Sequence, residues 1–169
     1  MVATVSCKVK VDNSGLKELE KALQYLKNNV VHSGVINADP ETTLIAAKNE
    51  FGGHSVYTYG PYKGETVEVP ERSFIRKSLN RMDKQIIEYG CLPFNNEITE
   101  RSAREALENV GEMASDTQMM AIETNGSNVD GWQKWQDYRT MITKGHNKPL
   151  FTRNFETFPI DYKVVRKAA

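Results

Sequence analysis

Cysteine and histidine are both scarce in this 169-residue chain, with two of the first and three of the second. Cys7 and Cys91 are too few, in too long a chain, for the disulfide framework of a small secreted domain. Both are expected as reduced thiols in a protein that folds in the cytosol. His32, His54 and His146 lack the i,i+4 or Cys/His spacing of a metal site, and structural zinc needs four converging ligands. Charge of one sign is also missing: 22 lysines and arginines balance 22 aspartates and glutamates. Without a net field there is no general attraction for nucleic acid or anionic lipid. No apolar run approaches the ~20 residues that span a bilayer. Met1–Lys10 alternates polar and apolar without the apolar stretch of a secretory signal, so none is expected. Gly52-Gly53 lacks the lysine and Ser/Thr of a phosphate loop. Ser14, Ser33, Ser73 and Ser78 have no nucleophile-elbow context.

What is present is an ordinary globular pattern of 39% apolar and 26% charged residues, long enough for one domain, residues 1–169, to bury its own core. Ala3–Val11 alternates with period two and reads as a half-buried strand with Val5, Cys7, Val9 and Val11 inward. Asp12–Gly15 is a turn in which Ser14 can cap a helix. Leu16, Leu19, Leu23, Leu26 and Val30 form one helical stripe. Val31–Ala38 then reads as a strand returning beside the first, giving a β–α–β opening.

Asp39-Pro40-Glu41 starts a helix, with a capping carboxylate, proline at the first position and an acid at the positive dipole end. Leu44, Ala47 and Phe51 are expected in its core face and Gly52-Gly53 at its end. Ser55–Tyr59 and Glu65–Val69 read as a hairpin. A helix from Pro70 carries Ile75, Leu79, Met82, Ile86 and Tyr89 and stops at Gly90. Thr99 caps the next, with Ala103, Leu107, Val110, Ala114 and Ala121 inward. A last helix over Asp130–Thr143 carries Trp132 and Trp135. Phe151–Phe155 and Ile160–Val165 read as closing strands. The expected class is α+β: a small, mostly antiparallel sheet packed by several amphipathic helices, with a protruding hairpin or long loop at 55–69.

Three pieces of the chain, in order and over roughly residues 42 to 165, carry a resemblance. Ile45-Ala46-Ala47-Lys48-Asn49-Glu50-Phe51-Gly52 is similar to a helix ending in Glu-Phe-Gly. Val69-Pro70-Glu71-Arg72-Ser73-Phe74-Ile75-Arg76 is similar to a Pro-x-Arg-x-Phe-Leu/Ile-Arg segment. Trp132, Thr140, Lys144-Gly145 and Lys148-Pro149-Leu150 follow a tryptophan, threonine, lysine, Pro-Leu order. Together they resemble the phage tail-completion family, also called virion morphogenesis proteins, and related neck proteins. Where that family usually has Asp-Thr-Gly after Pro-Leu, this chain has Phe151-Thr152-Arg153-Asn154, and Asn154 can supply the turn.

The resemblance implies a structural virion protein of a tailed bacteriophage with no cofactor and no catalysis. It would be a tail-completion, tail-terminator or neck ring subunit that caps the tail and joins it to the head connector. It would assemble in the host bacterial cytoplasm, as a homo-oligomeric ring for which a hexamer is the first guess. Its partners would be itself, the tail tube and the connector, with packaged DNA close by; Lys163, Arg166 and Lys167 otherwise read as a solvated basic tail.

Glu50, Arg72 and Arg76 are read as ion pairs fixing the angle between two helices, with solvated charges as the alternative. Tyr57, Tyr59 and Tyr62 are the interface residues of an intersubunit arm, or else belong to a hairpin folded back on its own subunit. Arg72, Arg76 and Trp135 complete the candidate interface, although the two tryptophans read first as core. The competing chemistry is a small metal-dependent hydrolase or nuclease built from Asp39, Glu50 and His54. A nucleic-acid-binding module is the third class, disfavoured by neutral charge.

Overall fold

The computed structural model describes residues 13–134, 136–150 and 158–168. The expected strands Ala3–Val11 and Phe151–Phe155, together with Cys7 and Trp135, lie outside the described residues. Helix α1 (Ser14–Asn28) runs directly into strand β1 (Asn29–Val35), and α2 (Pro40–Phe51) into a hairpin of β2 (Gly53–Val56) and β3 (Thr66–Val69). Helix α3 (Arg76–Cys91), a 3-10 turn (Leu92–Asn95) and α4 (Glu100–Glu123) follow. The chain closes with α5 (Tyr138–Lys144) and β4 (Ile160–Arg166). Two antiparallel pairs, β1 with β4 and β2 with β3, make the class α+β as expected.

Helix α4 is the organising element, packing against α1, α3, β1 and β4. Its start is a reciprocal capping box: Ser102 N–H donates to Thr99 Oγ1 (3.2 Å) and Thr99 N–H to Ser102 Oγ (2.9 Å), satisfying two donors that a helix otherwise leaves open. Small residues line its inward face. Ala103, Ala106, Gly111, Ala114 and Ala121 are all buried, which lets neighbouring backbones come close. A Cβ built on Gly111 would stand 2.0 Å from Tyr162 Cδ2 of β4, and one on Gly90 would stand 2.4 Å from Val110 Cγ2. Gly90 therefore lies inside α3, which continues to Cys91, as the contact point with α4 and not as a stop signal.

The main apolar core gathers Ala46, Phe74, Ala121, Ile122, Val129, Leu150 and Phe158, with Val35, Ile75, Trp132 and Ile160 packed against it. Phe74 is completely buried, and its ring lies over Phe158 with centroids 6.3 Å apart.

Several expectations are corrected. In α1 the buried residue is Ala22, flanked by half-buried Leu19 and Leu26, while Leu16 and Leu23 of the expected stripe are 66% and 57% exposed. Asn13, not Ser14, occupies the cap position, and it makes no side-chain cap bond. In α2 the inward residues are Ala46 and Glu50, and Leu44 and Phe51 are 55% and 64% exposed. The face is rotated because Glu50 is drawn inward by the donors described below. Helix α3 starts at Arg76 instead of Pro70: Arg72 N–H donates to Asn49 O, and the chain turns at Phe74–Ile75 before the helix begins. Tyr89 remains partly exposed on α3.

The last helix covers only Tyr138–Lys144, since Asp137 caps it by accepting from Arg139 N–H. Trp132 precedes it on an irregular segment, lies against Gly126 and donates from its indole N–H to Asn125 Oδ1 at 3.0 Å. The hairpin is offset from the expected pairing. Gly53 faces Val69 and Val56 faces Thr66, and Tyr57 N–H to Glu65 O extends the ladder by one step.

Gly111→Ala should lower stability by about 1–3 kcal/mol, because the added methyl overpacks a rigid ring. Urea unfolding measures it, and a shift in midpoint without a change in slope is the expected form.

Candidate functional site

The residues marked in the sequence converge at the junction of α2 and α3. Glu50 sits in the last turn of α2 and is only 3% exposed. Its Oε1 accepts from Ser73 Oγ (2.7 Å), Arg76 N–H (3.1 Å) and Arg76 Nε (2.9 Å), and its Oε2 accepts from Ile75 N–H (2.9 Å). Ile75 and Arg76 open α3, and Ile75 offers no side-chain cap of its own. Glu50 thus caps α3 from another helix, placing a negative charge at its positive dipole end. Buried charge is tolerable only when paired and hydrogen-bonded, and here it is both.

Arg76 closes the junction from outside. Its guanidinium donates to the Glu50 side chain and, at 3.2 Å, to Glu50 O; it meets Glu71 at 3.3 Å and lies 4.6 Å over the Phe51 ring. Of the expected ion pairs, Glu50–Arg76 forms. Arg72 turns elsewhere: buried, it donates to Asn49 Oδ1 (3.0 Å) and Gln133 O (2.9 Å), and burial pushes its pKa down to about 10. Gly52, at φ 74°, ψ 179°, makes the reversal after Phe51. Its backbone conformation disfavours side chains, and a Cβ there would press on Val69 O and Glu71 N at 3.3 and 3.2 Å.

A cleft of about 670 Å³ opens beside this junction. Ala38, Thr42, Ile45 and Asn49 line one wall at helical spacing, the strand edge Val67–Pro70 a second, and Gln136, Asp137, Thr140 and Lys144 a third. Leu150 and Phe158 border it as apolar surface. Lys144 projects into this partly dry space, donating to Gln136 Oε1 (3.1 Å) and Lys148 O (3.0 Å). Burial, with the positive charge of Arg72 adding to it, pushes the Lys144 pKa down to about 8.

The tyrosines separate. Tyr57 is half-buried, with its hydroxyl against Thr140 Oγ1 (2.8 Å) and donating to Asp137 Oδ1 (3.2 Å), which ties the hairpin to α5. Burial raises its pKa, and Arg139 holds the Asp137 carboxyl below the usual range. Arg139 also bonds Glu65 of the hairpin at 2.8 Å. Tyr62 packs its ring 6.1 Å from Tyr57, while Tyr59 is 53% exposed at the cleft. The loop end of the hairpin is thus held against α5 of its own subunit, and Tyr59 is the member presented outward. No sequence spacing pointed to the Tyr57–Asp137–Arg139 tie, whose partners are some eighty residues apart.

For the competing chemistry, Asp39 is committed to capping α2 through the Glu41 and Thr42 amides and the Thr42 hydroxyl. Both Glu50 oxygens are committed to α3, and His54 is exposed on β2. Among the described residues no three His, Cys, Asp or Glu side chains converge as metal ligands. Among them, too, no helix is long and apolar enough to cross a membrane. Compared with family models, curated proteins and solved structures, the chain matches none.

Glu50→Gln should cost roughly 3–5 kcal/mol, because it strips charge from a buried, multiply bonded carboxylate. Arg76→Gln, at a half-exposed guanidinium, should cost only about 1 kcal/mol. Thermal unfolding of the two variants checks the ratio.

Lys144 gives a pH signature. Its folded pKa is depressed, so between pH 8 and 10 the unfolded chain binds more protons and stability rises with pH. The destabilisation is fully present below pH 8. Tyr57, whose pKa is raised, acts in the opposite sense only above its ordinary value near 10. Lys144→Met should flatten the slope over pH 8–10 in urea midpoints.

Proposed function

We propose that this chain is a structural assembly protein of a tailed bacteriophage: a tail-completion, tail-terminator or neck ring subunit that caps the tail and joins it to the head connector. Its mechanism is binding between copies and neighbours. The observation that carries this reading is the use made of the marked residues. Glu50, Gly52, Arg72, Phe74 and Arg76, which bear the resemblance to tail-completion proteins, act as a brace between α2 and α3 in which both Glu50 oxygens are engaged.

The surface around the brace supports the same reading. Leu44 and Phe51, two helical turns apart on α2, are exposed together with Val56 and Tyr59 of the hairpin. Leu44 and Phe51, seven residues apart, share one face of α2 and offer apolar area to another chain. Among the described residues each sheet has two strands, which leaves strand edges for main-chain pairing with another chain. A ring homo-oligomer, with a hexamer as the first stoichiometry to test, would present two faces to the tail tube and the connector.

Light scattering after size exclusion, with and without purified tail-tube protein, tests this. Self-association, or capture on tails, is expected, and Phe51→Glu should weaken it at least tenfold while leaving the fold intact. Virions lacking the protein should show heads and tails present but unjoined, or tails of abnormal length, in electron micrographs. A strict monomer that never binds tails overturns the proposal.

A further inference from the structure

The cleft beside the brace has the features of a strand-addition site. Tyr57 N–H donates to Glu65 O, which makes that pair a hydrogen-bonded one. Alternation along an antiparallel ladder then makes Ser55/Val67 and Gly53/Val69 hydrogen-bonded pairs and His54/Glu68 a non-bonded pair. The amide and carbonyl of Glu68 consequently point away from β2. Val67, Glu68, Val69 and Pro70 line the cleft as a consecutive run, so this outward edge borders the open space. Among the described residues, the Glu68 main chain has no hydrogen-bond partner beyond β2.

The cleft is also polar at its two ends in opposite senses. Asp39 and Glu41 stand at the first turn of α2, and Asn49, with Arg72 beside it, stands at the last. Ten residues of helix separate Asp39 from Asn49, about 15 Å, which an extended chain covers in about five residues. Lys144 adds a second cation. An ammonium has three donors; two are used, on Gln136 and Lys148, and the third has no acceptor among the described residues.

We propose that this cleft binds an extended polypeptide segment of a partner protein, added as a third strand on the free edge of β3, with an acidic side chain seated against Lys144. Ile45, Val67 and Leu150 take alternate apolar side chains of the segment, and Asp39 and Glu41 favour a basic residue about five positions from the acid. Main-chain bonds to Glu68 supply affinity without sequence preference, while the cationic end and the apolar floor select the sequence. That the supplier is a neighbour in a virion rests on the assembly reading above; the cleft's preference for such a segment does not.

The probe is a fluorescein-labelled, end-blocked heptapeptide of alternating valine and threonine, with a glutamate near one end and a lysine five residues away. Fluorescence anisotropy should show saturable binding that weakens at least tenfold for Lys144→Gln. It should weaken similarly for Glu68→Pro but not for Glu68→Ala, since proline alone removes the outward N–H, at a position where an edge strand accepts it. Lys84→Gln, on the exposed side of α3, should leave it unchanged. In the unaltered protein, amide exchange at Glu68 should slow on peptide binding, a readout that needs no variant to fold.

Equal affinity for Lys144→Gln, unchanged exchange at Glu68, or no binding overturns the proposal. So does succinate binding as tightly as the peptide, which would make the cleft a small-carboxylate pocket. Peptide binding in a protein that never self-associates or meets tails would count against the assembly reading and leave this one standing. Ring formation without peptide binding would do the reverse.

Discussion

One buried carboxylate sets the geometry of this protein. Glu50 belongs to α2 but completes the hydrogen bonding of α3, so neither helix can shift without exposing unpaired amides or an unpaired charge. A cap from within the same helix would be local and leave the second helix free to swing. Supplied from a different helix, the same bonds become a tertiary constraint. They draw α2 round so that Leu44 and Phe51 face out, hold the turn at Phe74–Ile75 against the end of α2, and place Phe74 in the core. The cleft, bounded by α2, β3 and α5, takes its shape from that constraint.

Around this brace the packing alternates between close approach and bulk. Gly111 of α4 admits the Tyr162 ring of β4 and Gly90 of α3 admits Val110 of α4, while Phe74 and Phe158 fill the apolar core. The hairpin is held to α5 by Tyr57 and Arg139, both of which bond Asp137. Brace, α4 and hairpin tie are each polar or steric specifications that favour one arrangement of the elements.

Local chemistry made the helix boundaries readable. Asp39-Pro40, Thr99 and Lys144-Gly145 each act within three or four residues, and the structure places caps or ends at all three. Which face each helix buries was less legible, because a stripe of leucines states only that a face is apolar. Glu50 was marked as an ion-pair former, yet its burial could not be read, since a glutamate in an amphipathic helix is ordinarily a solvent residue. Pro70 suggested a helix start by its own preference, and the main-chain bond from Arg72 to Asn49 overrode it. The tryptophan segment failed for a similar reason: three-residue spacing suggested a helix where Trp132 is instead held by Asn125 and Gly126. The cleft left no sequence signature because its walls come from three distant stretches.

The pairing of β1 with β4 has a consequence for how copies are made. Asn29 faces Arg166 and Val35 faces Ile160, so during synthesis β1 waits for its mate until residues 160–166 have been made. Contacts this distant in sequence form slowly and late. A polypeptide that stops short of residue 160 lacks the second half of that sheet and the Tyr162 ring that fits against Gly111. Such a product leaves the edge of β1 unpaired and the face of α4 around Gly111 uncovered by β4.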